Sequence, residues 1–208
     1  MIAQIQPIPV VFAQLGFVYL RVSGFQKHFA MNSIFLNTLW KNFAAVIDML
    51  KSVISKCPDK IWEEEKKFYY VTYHIVIFLD YYLSNPVKDF KPFLPYTLCD
   101  TSHLPEGAVD DVLPCEFYSK SEMLVYINKI REKCEKLICS SPPEKFTTKW
   151  IDEDEINLHG LSPSIVSNYS LLEILFYNFR HVQHHVGQLN LLLRQSADIA
   201  ADWISQSG

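Results

Sequence analysis

Two of the chain's seven histidines, His181 and His185, stand four residues apart in the stretch Leu171 to Arg194, LLEILFYNFRHVQHHVGQLNLLLR. On a helix this spacing points both imidazoles the same way, about one turn apart. Neutral imidazoles so placed can share one transition metal. The alternative is a pair of hydrogen-bonded core histidines. A third histidine, His74, lies in the apolar run FYYVTYHIVIFLDYYL, on the row Lys67, Val71, His74, Phe78, Tyr81. A lone histidine in an apolar helix is usually a satisfied core residue. If it converges with the other two, the set offers three neutral ligands. Such a set leaves metal positions open, which is the catalytic rather than the structural pattern.

The helix carrying His181 and His185 has three faces. Leu172, Leu175, Phe179, Val182, Val186, Leu189 and Leu193 form an apolar seam that demands a partner. Beside it run Leu171, Ile174, Asn178, His181, His185, Gln188 and Leu192, apolar at both ends and polar in the middle. Buried at mid-height, those four polar side chains each need a hydrogen-bond partner. Gln188, one turn beyond His185, is the candidate to hydrogen-bond a bound cofactor or ligand, with a structural role as the alternative. Glu173, Tyr177, Arg180, His184 and Arg194 read as the solvent face, so His184 is set aside as surface. Asp80 follows His74 by six residues on a different face and is expected to cap or pair elsewhere.

Four helices are expected to position these residues. The first spans about Ser33 to Lys56, with Asn32 or Ser33 as cap and Pro58 after its end. A charged connector, Asp59 to Glu65, leads to the second, about Glu64 to Leu83. The content of that segment is strand-like, but its length argues for helix. Asn85 to Tyr118 holds five prolines in thirty-four residues, which excludes a long helix. Its Phe90, Phe93, Leu94, Tyr96 and Phe117 predict a loop that packs down and roofs one end of the helices. The third helix spans about Ser119 to Cys139, opened by the capping box Ser119-Lys-Ser-Glu122. The fourth opens on a second box, Ser170-Leu-Leu-Glu173. Ser140 to Asn168 reads as irregular, with Pro142, Pro143, Gly160 and Pro163, and Trp203 anchors the tail. Connections of such unequal length point to an all-α four-helix bundle with long crossover connections.

Length and composition bound the function. With 208 residues and 49% hydrophobic content, the chain reads as one globular domain. A formal charge of −4 without a basic block argues against a nucleic-acid partner. Five cysteines at 57, 99, 115, 134 and 139 form no CxxC and read as reduced, so a cytoplasmic location is expected. The first thirty residues have neither a basic start nor an apolar run long enough to span a bilayer. Residues 1–30 are therefore expected to be an N-terminal extension outside the core. The apolar run Ile8 to Leu20 in it could be an extra strand or a short helix. Residues 31–208 form the expected domain. A small-molecule substrate and a homodimer stand as candidate partners.

A lone histidine in an apolar second helix, then after a long gap HxxHHxGQ and a leucine run ending in arginine, resembles the DinB-like superfamily. Here the motif is His181-Val-Gln-His184-His185-Val-Gly187-Gln188, followed by LNLLLR, and HIVIFLDYYL from His74 is similar to the superfamily's second helix. The resemblance covers about Met31 to Trp203 and is specific in the two histidine helices. It implies a four-helix bundle holding one divalent transition metal ion, nickel or zinc, with His74, His181 and His185 as ligands. It also implies a metal-dependent transferase that passes a low-molecular-weight thiol to a small electrophile. A metal-dependent hydrolase, or a non-catalytic bundle with a structural metal, are the alternatives. The N-terminal thirty residues and the long proline-rich loop depart from the pattern, so substrate access does not carry over.

Overall fold

The computed structural model describes the backbone of residues 12–156, 158–162 and 166–208, with side chains from residue 33 onward. Ile8 to Val11, the start of the upstream apolar run, and Pro163 lie outside the described residues. The chain divides into two units, Met1–Thr38 and Leu39–Gly208. The described core and the histidine cluster belong to the second.

Five α-helices dominate: α1 (Phe12–Lys56), α2 (Asp59–Glu64), α3 (Lys66–Tyr82), α4 (Lys120–Ser140) and α5 (Leu171–Ala197). Among the described residues, none is long and apolar enough to cross a membrane. The helix expected to begin near Ser33 starts instead at Phe12. No proline stands between Pro9 and Pro58, so nothing breaks the backbone ladder, whether or not an amphipathic period is present. The charged connector is also helical. In α2, Trp62 turns inward, where its indole N–H donates to the Tyr118 carbonyl at 3.2 Å.

Helix α3 resolves the choice between helix and strand in favour of helix. From Phe68 to Tyr82 only Tyr70 escapes burial, so the run is apolar all round because it is enclosed all round. It packs against both α4 and α5. Both capping boxes form: Ser119 and Ser170 accept from the backbone N–H of Glu122 and Glu173, and each carboxylate reaches back to the cap. These bonds hold the Glu122 and Glu173 carboxyls below their ordinary pKa.

The proline-rich connection adds what the all-helical reading lacked, a two-stranded antiparallel hairpin of β1 (Tyr96–Leu98) and β2 (Val112–Pro114). It packs down as expected, with Val87, Phe90, Leu94 and Val112 buried, but Phe93 and Phe117 are 48% and 56% exposed. Phe117 lies flat on Tyr69, with ring centroids 4.8 Å apart, and Phe93 leans on Tyr126. Helix α3 holds the connection by its phenols. The Tyr73 hydroxyl lies 2.7 Å from the Pro95 carbonyl and 3.0 Å from that of Leu94. Trp203 is no anchor, being 78% exposed. The tail is held by polar bonds instead, Asp202 to Lys56 at 2.6 Å and the Ser207 N–H to the Lys41 carbonyl at 3.0 Å.

Candidate metal centre

The three expected histidines converge. His74 comes from the middle of α3, and His181 and His185 from one face of α5. One ligand atom of each lies within 4.8 Å of the others. Ring centroids are 4.9 Å apart for His74 and His181, 4.8 Å for His74 and His185, and 4.6 Å for His181 and His185. His74 Nε2 and His181 Nε2 stand 2.9 Å from each other. His74 and His185 are 7% and 9% exposed.

The neighbour of His185 assigns its proton. His185 Nδ1 lies 2.7 Å from Gln188 Oε1, so the proton sits on Nδ1 and the Nε2 lone pair is free. The other end of the same amide, Nε2, lies 3.1 Å from His184 Nε2. Gln188 therefore stands behind His185 and orients it, with its amide occupied on both sides. His184 is exposed, as its face predicted. Asp110 Oδ2 lies 2.9 Å from His74 Nδ1. His181 Nδ1 is buried without a hydrogen-bond partner, and so is Asn178 Oδ1, although the Asn178 amide donates to the Leu79 carbonyl at 3.1 Å.

Burial pushes the His181 imidazole down to about 3, helped by the charges of His74, His185 and His184. Burial likewise takes His185 down to about 4, against the opposing bond from Gln188. Both rings are thus neutral at pH 7 and keep a lone pair for a ligand bond. Stability should follow. The unfolded chain binds protons near the ordinary histidine value of 6.5, which the folded cluster refuses. The metal-free protein therefore holds this contribution above pH 6.5 and loses it as the pH falls toward 4 and then 3. Its thermal midpoint is expected to drop across that window, and His181→Gln should flatten the slope. A midpoint constant from pH 7 to 4 would mean that the rings already carry protons in the fold.

The donor set suits a borderline transition metal. Two imidazole nitrogens at 2.9 Å repel unless a proton or a cation lies between them, and His185 adds a third free lone pair. Among the described residues, no thiol or carboxylate joins the three as a ligand. Aromatic rings wall the cluster: Phe78 is 4.5 Å from His74, and Tyr177 lies parallel to His181 at 6.4 Å. Tyr177 was expected on the solvent face. It is half-buried, edge-on to Tyr82 at 5.3 Å, and Phe176 is the exposed neighbour. On α3 the row through His74 and Phe78 continues to Tyr82, while Tyr81 turns to Phe90 and bonds Ser162. Burial, then Tyr177, raises the Tyr82 phenol well above its ordinary pKa, so this wall stays neutral.

Asp110 is the residue the sequence concealed. It lies in a loop, where no period ties it to His74, and only the hairpin brings the two together. Asp80 pairs elsewhere, accepting from the Tyr126 hydroxyl at 2.5 Å and from Lys133 Nζ at 2.6 Å. The five cysteines are free, and burial pushes the Cys57 thiol up to about 11 and the Cys134 thiol higher still. No protein-family model, no curated protein and no solved structure matches the chain.

Proposed function

We propose that His74, His181 and His185 hold one divalent transition metal, and that α3, α4, α5 and the Leu39–Lys56 part of α1 form a DinB-like four-helix bundle around it. The observation that carries this reading is the convergence of three imidazoles from two helices, with no fourth protein ligand among the described residues. Two of the three rings have a side chain against the second nitrogen, a hydrogen bond from His185 to Gln188 and a carboxylate contact at His74, as outer-shell partners stand behind metal-ligating histidines.

The resemblance to the DinB-like superfamily favours, as the reaction class, transfer of a low-molecular-weight thiol to a small electrophile. A divalent ion held by His74, His181 and His185 would supply a Lewis acid that lowers the pKa of a bound thiol. The chain's own residues do the rest. Gln188 keeps the proton of His185 on Nδ1, and burial keeps His181 and His185 uncharged, so neither competes as an acid. Phe78, Tyr82 and Tyr177 form an apolar wall that thins the water around the reacting atoms. Sulfur attacks the electrophilic carbon, an S–C bond forms, the bond to the leaving group breaks, and the thiol proton passes to solvent. Among the described residues no cysteine joins the three histidines, so this reading takes the sulfur nucleophile from a cosubstrate.

The experiment is metal analysis of the purified protein, followed by an assay of glutathione with a chromogenic aryl halide, with nickel or zinc restored. The expected result is one metal per chain and a turnover that chelation removes. Stoichiometric metal without turnover across a panel of thiols and electrophiles would make the centre structural. Absence of tight metal binding would overturn the reading altogether.

A further inference from the structure

Asp110 reaches the histidine cluster from outside the two helices that carry it. Its carboxylate is fixed at one end, where Oδ1 accepts the Val112 N–H at 3.1 Å, the residue that starts β2. The other oxygen is thereby aimed at His74 Nδ1, 2.9 Å away, with the two side chains 29% and 9% exposed. The contact has the distance of an ion pair without hydrogen-bond alignment, so it acts on the ring electrostatically. A carboxylate beside Nδ1 favours the proton on that nitrogen. The lone pair is then left on Nε2, the atom that faces His181.

The loop that carries Asp110 is itself seated by contact with α3. Gly107 has φ +84°, a left-handed conformation that favours glycine. A Cβ there would stand 2.8 Å from the Lys67 amide nitrogen and 3.0 Å from its Cα. Those atoms are backbone in the first turn of α3 and cannot give way. The hairpin closes the loop from the other side, with Leu98 opposite Val112 and the Cys99 N–H donating to the Asp111 carbonyl at 2.8 Å. Gly107 lets the loop lie flat on the start of α3, and three residues later Asp110 meets His74 further along the same helix.

We propose that Asp110 is a positioning residue of the metal centre, and that docking of the 99–111 loop on α3 and metal occupancy are thermodynamically linked through it. This inference rests on the metal reading above. The linkage follows by reciprocity: if a docked loop raises metal affinity by some factor, bound metal stabilises the docked loop by the same factor. Asp110 stands behind His74 as Gln188 stands behind His185, but on a loop outside the two ligand helices.

The test uses the full chain and Zn(II) or Ni(II), in competition with a chromophoric chelator. Asp110→Ala is expected to weaken binding by about 10–100-fold. Asp110→Asn, which keeps the shape and a dipole, should fall between wild type and alanine. Gly107→Ala, remote from the histidines, should also weaken binding, because the added Cβ lifts the loop. Combined with Asp110→Ala it should add little, since both act through one contact. Hydrogen exchange gives the independent readout. Metal should slow exchange of the 99–111 amides in the wild type but not in Asp110→Ala. Wild-type binding with an unchanged Asp110→Ala affinity would overturn the inference and leave the metal centre standing. Full additivity of the two substitutions, or loop exchange indifferent to metal in the wild type, would overturn the linkage. A wild type that binds no metal would remove both readings together.

Discussion

His185→Ala is expected to abolish stoichiometric metal binding, while His184→Ala leaves it nearly unchanged. The two residues are neighbours of the same type on the same helix, so the pair controls for helix propensity and for the chemistry of the substitution. They differ in direction. His185 is 9% exposed, with its ring centroid 4.6 Å from His181 and 4.8 Å from His74, whereas His184 is exposed, bonds Gln188 and meets only the His185 ring edge-on, 5.1 Å away. Alanine at 185 deletes one of three ligands. The loss should exceed the about 10–100-fold expected when only an outer-shell partner is removed. Alanine at 184 leaves Gln188 Oε1 on His185 and frees the amide's other end to bond water, so any change should stay below that range. Metal content after dialysis and competitive titration give both numbers, and circular dichroism confirms that the helices persist. Equal losses from the two variants would show that the wrong face of α5 has been assigned to the metal.

The placement of His74, His181 and His185 was legible because helices convert spacing into direction. The i,i+4 interval on α5 leaves few choices, and a polar middle on an apolar row has to be buried with partners. The same rule separated His184 from His185 and sent Asp80 to other partners. Tyr177 was misplaced by that rule because a large ring on the margin of a face can fold back toward the core. Here it packs against Tyr82 and alongside His181. The upstream start of α1 was not legible, because the expectation looked for an amphipathic period, and a helix can continue without one wherever no proline interrupts it. The β1–β2 hairpin was hidden among prolines, in strands of three residues each, too short to show alternation. Asp110 was the hardest to find. Its position depends on a ladder register, on one left-handed glycine and on the reach of a loop, and none of these leaves a periodic trace.

Lys133→Met should destabilise the protein by about 3 kcal/mol, the lower end of the range for removing one partner from a buried ion pair. Asp80 is 7% exposed and sits in α3, the helix that also carries His74. Its two oxygens are divided between the Tyr126 hydroxyl and Lys133 Nζ, and the same ammonium also reaches the Ser84 hydroxyl at 2.6 Å and the Asp80 carbonyl at 3.2 Å. Burial, then the Asp80 charge, raises the Tyr126 phenol far above its ordinary pKa, so it remains a donor and cannot share the charge. Methionine fills the volume of the lysine stem but supplies no donor, leaving a carboxylate in the interior with one hydrogen bond and no counter-charge. The lower end of the range applies because the Lys133 side chain is 36% exposed and water can approach from its side. Asp80→Asn in the Lys133→Met background removes the stranded charge while keeping an acceptor for Tyr126. The double variant should therefore be more stable than Lys133→Met alone, a non-additivity that residues in one network are expected to show. Urea unfolding at pH 7 measures each difference from the midpoint, provided the slope is unchanged. A loss below about 1 kcal/mol for Lys133→Met would place the pair among solvated surface bridges. The buried carboxylate of α3 would then hold its place by the Tyr126 hydroxyl and water alone.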